Sequence, residues 1–408
     1  MDFTAYYTAG NVLNHNLSPY INHITTDWNL WDGLGTFKHS RFLYPPLVAN
    51  LFQPLAELSY IDAKYIWNFF NLLCLIFCYI LLLKIFDYQK ELNKILFSGI
   101  LCFNFFPFIA LLERGQIDCL TLVFLLSGLY FYTKGKNEYL TGFLWGIATL
   151  FKLYTFLMIP FLILRKKFKI LFGYFSGIVL IVIITLTLNG FDNTYNYIFK
   201  EAPRIAKYGS SGTKEMQIPV WILQAYFPMC PTSVTIVQGR MYVTESISFN
   251  SKASFIRFFE VIQEKFPVKI SNSVFSILVF LIFFIFIAIY YKKYFNKLDF
   301  KNDFIFWQII FIIILFSSPY TWVMNLIWML PVIFIMIKIF PELYKQKRYI
   351  YIIFFIIGYL LLAIPDNLLW TKDLLIIHNI FASRFVISEF IILVCLLYYL
   401  IKKNIILK

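Results

Sequence analysis

The sequence predicts an all-α, polytopic membrane protein with outer-face loops and interfacial helices. Three observations carry that prediction. Of 408 residues, 60% are hydrophobic and only 14% are charged, against about 25% charged in an ordinary soluble domain. The apolar residues gather in runs near the roughly 20 residues an α-helix needs to cross a bilayer. Nothing shows the roughly ten-residue alternation of a membrane barrel strand.

Residues 3–17 place Phe3, Tyr6, Gly10, Leu13 and Leu17 at helical spacing. This predicts a short helix with one apolar face, lying in the membrane interface. Ser18-Pro19 ends it, and Asp2 stands just before it. Two compatible roles are open for Asp2: a cap for free backbone N–H groups, or an acid placed at the membrane surface for chemistry. Leu43-Tyr44-Pro45-Pro46 opens a second short helix, with Pro46 in its first turn, and Pro54 limits it. Plain loop punctuation also accounts for these prolines.

Spans are expected at 64–86, 95–112, 117–133, 170–188, 272–291, 304–320, 321–340, 349–364 and 385–401. The stretch 139–164 is too long for one upright span, too short for two, and interrupted by Lys152. Two short helices or a re-entrant pair fit it. The organisation expected is an outer loop with interfacial helices over 1–63, an N-terminal transmembrane region over 64–188, a large outer loop over 189–271, and a C-terminal transmembrane region over 272–408.

Charge orients the chain. With residues 1–63 outside, Lys and Arg gather in the opposite loops, around 84–94, 134–136, 165–169, 292–301, 338–348 and 402–408. The whole net charge of +14 then lies on one side. The positive-inside rule makes that side cytoplasmic, so the chain is expected in the cytoplasmic (inner) membrane. Nucleic-acid binding, the other meaning of a basic chain, is excluded because these cations cap apolar spans in short loops. The four histidines match no zinc spacing. There is no P-loop, no GxGxxG and no Asp-x-Asp, so neither a metal nor a cofactor is expected.

Several turns bring polar groups to the outer side. Glu113-Arg114-Gly115-Gln116-Ile117-Asp118 is a tight polar turn. Arg114 and Asp118 either pair with each other or headgroups, or Arg114 grips a phosphate with its two-pronged guanidinium. Lys152 either snorkels outward or faces an anion. Ser317-Ser318-Pro319-Tyr320-Thr321-Trp322 breaks two spans and is readable as an aromatic belt or as part of a site.

These windows resemble glycosyltransferase family 87. The resemblance rests on Asp2-Phe3 with Tyr6-Tyr7, Ser18-Pro19-Tyr20, Tyr44-Pro45-Pro46 with Pro54-Leu55, and Arg114 to Asp118. It continues through Gly142 to Lys152-Leu153, and ends with Ser318 to Trp322. The family's Gly-Gln-x-Asn reads Gly-Gln-x-Asp here, and the histidines of its late motif are replaced by Met324-Asn325. The resemblance implies the GT-C architecture and a mannosyltransferase-like enzyme. Such an enzyme moves mannose or another hexose from a polyprenyl-phosphate donor to a lipid or glycan acceptor, at the extracytoplasmic face. It further implies Asp2 as general base, Arg114 and Lys152 as donor-phosphate partners, and Tyr6, Tyr44, Gln116, Asp118 and Trp322 as substrate-binding groups. The family carries a transmembrane helix before its Asp-containing loop, so a further helix ahead of Met1 is expected. Two other readings use the same lipid: a lipid-linked sugar transporter or flippase, and an envelope polysaccharide polymerase or ligase. A transporter calls for internal repeats, and none is visible.

Overall fold

A computed structural model describes residues 2–20, 42–135, 137–202, 214–216, 233–237, 240–244, 255, 272–295, 298, 300–318, 321–365 and 383–406. The architecture is all-α and polytopic. In chain order the helices are α1 (Asp2–Asn14), α2 (Pro46–Phe52), α3 (Tyr60–Phe86), α4 (Leu92–Phe103), α5 (Phe106–Arg114), α6 (Asp118–Thr133), α7 (Glu138–Phe151), α8 (Ile159–Leu164) and α9 (Phe168–Asn196). After the large loop come α10 (Asn272–Tyr290), α11 (Phe300–Ser317), α12 (Leu330–Lys345), α13 (Tyr349–Ala363) and α14 (Arg384–Ile406). The loop itself holds three short antiparallel strands, β1 (Lys214–Met216), β2 (Ser233–Val237) and β3 (Arg240–Thr244), in the order β1-β3-β2.

Among the described residues four helices are long and apolar enough to cross a membrane: Tyr60–Phe86, Phe168–Lys200, Val323–Lys345 and Arg384–Lys402. The span expected at 95–112 is instead two helices, α4 and α5, bent by 46°. Asn104 turns its side-chain amide back onto Ile100 O at 2.9 Å, and Pro107 follows in the first turn of α5. A proline needs a free start because it has no N–H to donate. The other expected spans, at 117–133, 272–291, 304–320 and 349–364, are shorter helices. Sixteen residues in α6 rise only about 24 Å, short of a hydrocarbon core of about 30 Å.

The chain divides into two compact units. The first comprises Met1–Phe70, Arg114–Gln116 and Leu180–Phe249; the second comprises Asn71–Glu113, Ile117–Val179 and Asn250–Lys408.

In the first unit, α1 differs from the amphipathic helix expected over 3–17. Residues 3–10 are buried without a break, so α1 is enclosed rather than laid on a surface. Its polar groups are satisfied inward: Thr8 Oγ1 donates to Thr4 O at 2.7 Å, Thr4 and Tyr60 share a hydrogen bond, and Tyr7 OH donates to Leu58 O. Gly10 permits the closeness, because a Cβ there would stand 2.6 Å from Phe52 O. Asn189 Nδ2 donates to Asn50 Oδ1 at 2.7 Å, joining α9 to α2.

In the second unit, α11 is buried from Asn302 to Ser317. Its near-uniform apolarity fits a helix with neighbours on every side. α6 and α7 form a hairpin, tied by Trp145 Nε1 donating to Leu125 O and Thr141 Oγ1 to Gly128 O. Trp145 packs its indole edge-on to Trp307 of α11 at 4.8 Å. α7 and α9 meet along a double glycine seam. Gly142 and Gly146 face α9 backbone, Gly173 and Gly177 face α7 backbone, and a Cβ on any of the four would strike a backbone oxygen of the other helix. Small residues four apart let membrane helices touch backbone to backbone.

At the end of the unit holding 165–169, Asp303 of α11 takes an ion pair from Arg165 and a hydrogen bond from Tyr132. Lys167 pairs with Glu138 at 2.7 Å beside it.

Candidate functional site

The polar groups that the sequence brought forward fall into two clusters, one in each unit.

The cluster of the first unit is built on the turn after α5. Gly115 has φ 68°, a left-handed conformation that glycine adopts at no steric cost. A side chain there would also stand 2.6 Å from Phe3 Cβ, so the position needs glycine twice over. Trp67 Nε1 donates to Gly115 O at 2.9 Å and fixes the turn. Gln116 then presents one amide oxygen to two hydroxyls: Tyr6 OH at 2.7 Å and Tyr44 OH at 3.1 Å. Tyr6 stacks on Phe52 at 4.8 Å and lies 5.0 Å from the Tyr44 ring. The Tyr44 carbonyl accepts from Tyr20 OH at 2.8 Å. Tyr6 and Gln116 are buried, and Tyr44 and Arg114 are half-buried. Three segments far apart in sequence are thus joined at one atom. Asp2 is the first residue of α1; its side chain lies outside the described residues.

The cluster of the second unit is built on the open end of the α6–α7 hairpin. Asp118 begins α6, and Lys152 ends α7. Lys152 leaves the helix with φ −143° and ψ 101°. The chain then makes a 3₁₀ turn over Leu153–Met158 before α8. Lys152 Nζ lies 3.1 Å from Asp118 Oδ2, with the carboxylate fully buried and the lysine side chain 11% exposed. The lysine therefore neither snorkels outward nor stands alone. The carboxylate expected to pair with Arg114 or headgroups, or to bind substrate, lies against Lys152. The Lys152 carbonyl accepts from Thr155 Oγ1 at 2.9 Å. Thr155 in turn donates to Thr149, which shares a hydrogen bond with Tyr174.

Trp322 belongs to the same unit and opens a 3₁₀ turn over Val323–Met329. Its N–H donates to Asn325 Oδ1 at 2.7 Å, and its indole is half-buried. Asn325 stands where the family pattern has histidine, and here it caps that turn.

Sequence reasoning missed three features. The glycine seam was visible as Gly-x₃-Gly in both α7 and α9. The Asp303–Arg165–Tyr132 group was signalled by an acid directly before the apolar run of α11. Glu389 of α14 lies fully buried, and its carboxylate oxygens make no hydrogen bond to the described residues. Its signal was a lone acid within the span expected at 385–401.

The fold and the two clusters define a polytopic membrane protein with buried ion pairs and capped polar turns at the ends of its helices. Over residues 42–241 the chain matches glycosyltransferase family 87. The match takes in Tyr44, Arg114, Gln116, Asp118 and Lys152, and leaves Asp2, Tyr6 and Trp322 outside it. It supports a membrane glycosyltransferase in general. No curated protein matches the chain.

Proposed function

We propose that the protein transfers a hexose such as mannose from a polyprenyl monophosphate to a hydroxyl of a lipid or glycan acceptor. The reaction takes place at the extracytoplasmic face, in a GT-C-type membrane fold. The observation that carries this reading is the family match over 42–241, which spans both the Arg114–Asp118 turn and Lys152. The one-sided charge surplus supports the choice of face.

The chemistry sets the demand on the residues. The acceptor oxygen forms a bond to the anomeric carbon while the bond from that carbon to the phosphate oxygen breaks. One displacement inverts the anomeric centre. The phosphate leaves with an added negative charge, and a cation stabilises it. The acceptor proton goes to a base. Lys152 is assigned to the phosphate, because it is a nearly buried cation held at the end of a hairpin. The resemblance assigns Asp2 as base and Arg114 as a further cation for the phosphate. Tyr44 and Trp322, both half-buried, are assigned to the sugar. Tyr6 and Gln116 hold Tyr44 in place. The scheme requires no metal.

The test is transfer from a radiolabelled polyprenyl-phosphate sugar by purified protein, comparing wild type with Asp2→Asn. The amide keeps the shape and the capping ability but takes up no proton. Loss of a general base costs about 10²–10⁴-fold, with donor binding retained. Near-normal turnover by Asp2→Asn removes Asp2 from the mechanism. Absence of transfer in the wild type, with movement of the lipid-linked sugar across vesicles, replaces the enzyme with a transporter.

A further inference from the structure

The Asp118–Lys152 pair has a use beyond closing the hairpin. A tie between two helix ends needs no charge. Two ions buried together lose much of their attraction to the cost of leaving water, and an apolar pair of similar volume commonly holds as well. A buried ammonium has to be kept somewhere, however, if it is to meet an anion that arrives later.

Lys152 is fixed from two directions. Its N–H donates to Ala148 O at 3.2 Å, and its carbonyl accepts from Thr155 Oγ1 at 2.9 Å. The chain Thr155–Thr149–Tyr174 extends that hold from α7 to α9, beside the glycine seam. The backbone is therefore set by elements that leave it little room to move. The remaining freedom is the four-carbon side chain, and the Asp118 carboxylate, 3.1 Å away, draws its tip by charge. Neither Asp118 oxygen receives a well-directed hydrogen bond from the described residues. The restraint is Coulombic attraction rather than a locked geometry. Asp118 itself is the first residue of α6, where the N-terminal end of the helix dipole favours a negative charge.

We infer that Asp118 is the positioning residue of Lys152, which holds the ammonium ready for the donor's phosphate and competes with that phosphate for it. The inference rests on the reading above that assigns Lys152 to the donor phosphate. It has a kinetic signature of its own. Without its negative charge, Asp118→Asn no longer repels the phosphate or shares the ammonium, so donor binding in the ground state is retained or tightened. The ammonium also loses its orientation, and misplacing a group by about 1 Å costs on the order of 10²-fold in rate. Asp118→Asn is therefore expected to lower kcat about 10²-fold while leaving the donor KM unchanged or lower. Lys152→Gln removes the cation itself and is expected to lower kcat and raise the donor KM. A purely structural tie predicts no such opposition.

The experiment is a double-mutant cycle on transfer from a polyprenyl-phosphate sugar, using full-length protein and reading kcat and donor KM separately. Its members are wild type, Asp118→Asn, Lys152→Gln and the double variant. Melting is measured for each. The expected result is that the double variant is no slower than Lys152→Gln alone, because Asp118 has nothing left to position. If Asp118→Asn fails to fold, the double variant still decides, since it leaves no buried charge unmatched. A double variant slower than Lys152→Gln by a further large factor overturns the inference. So does a wild-type kcat for a folded Asp118→Asn, and so does a rise in its donor KM. Wild-type kinetics for Lys152→Gln are a different failure: they remove Lys152 from the phosphate, and the proposed site with it.

Discussion

Replacing Gly177 by alanine sets two opposed effects against each other on the seam between α7 and α9. Alanine is the better helix former by about 1 kcal/mol, and in an open helix the substitution stabilises. At Gly177 the new Cβ would stand 2.5 Å from Phe143 O and 3.2 Å from Gly146 Cα. Ordinary van der Waals contact begins near 3.4 Å, so the helices must part by roughly 0.9 Å, and a radial gap of that size forfeits a quarter to a half of the local dispersion energy. Overpacking of this kind costs about 1–3 kcal/mol. The same displacement stretches the Thr149–Tyr174 bond from 2.8 Å beyond hydrogen-bonding reach, with a further loss of about 0.5–1.5 kcal/mol. The losses exceed the gain, and the net is a destabilisation on the order of 1–3 kcal/mol. Gly99→Ala is the control, because its Cβ would meet only the Tyr79 ring end, at 3.3 Å; there the propensity gain should win. The assay is the midpoint of heat-induced loss of the monodisperse peak in detergent, all proteins side by side. A midpoint for Gly177→Ala at or above wild type, rising together with Gly99→Ala, would refute backbone contact along the seam.

Three further outcomes are expected. Asp303→Asn should lower the melting midpoint sharply, since a buried Arg165 left without its counter-charge costs about 3–5 kcal/mol; adding Arg165→Met should recover much of the loss, and no recovery would mean that Asp303 has another role. Glu389→Leu should match or exceed wild type in melting, because a buried carboxyl that finds no partner among the described residues costs about 1–3 kcal/mol; a drop would reveal a bond that Glu389 makes elsewhere. In intact cells an impermeant thiol reagent should label native Cys230 and spare Lys169→Cys in a Cys230→Ser background, five other cysteines being buried; the reverse pattern would invert the topology.

Hydropathy made the class of fold legible, since composition alone forbids a water-facing surface. The breaks were legible where chemistry marks them: Lys152 inside an apolar run, and Pro46 at a helix start. They were overlooked at Asn104 and Pro107, because a window average smooths over two residues. The burial of α1 was not legible. Periodicity says which residues are apolar, but whether Thr4 and Thr8 face water depends on acceptors supplied elsewhere. The pairing of Asp118 with Lys152 was equally hidden, because it follows from which two helix ends a hairpin brings together. In the first cluster, Tyr6, Tyr44 and Gln116 were all named from the sequence, but that they bond to one another was not visible. Spacing along a chain gives no measure of distance across a fold.

The shared acceptor on Gln116 also bears on how the chain is made. Tyr6 and its partner lie 110 residues apart. At roughly 5–20 residues per second, the ribosome adds Gln116 some 5–20 s after it adds Tyr6. During that interval α3, α4 and α5 are synthesised, and the amide that accepts from the Tyr6 hydroxyl does not yet exist. The Gly115–Gln116 turn thus joins the first unit late, and Leu180–Phe249 joins it later still. Truncation before Gly115 would remove at once the acceptor for two tyrosines and the carbonyl that Trp67 holds. A nascent chain stalled short of that turn should leave α1 and α2 more open to protease than one to which the turn has been added.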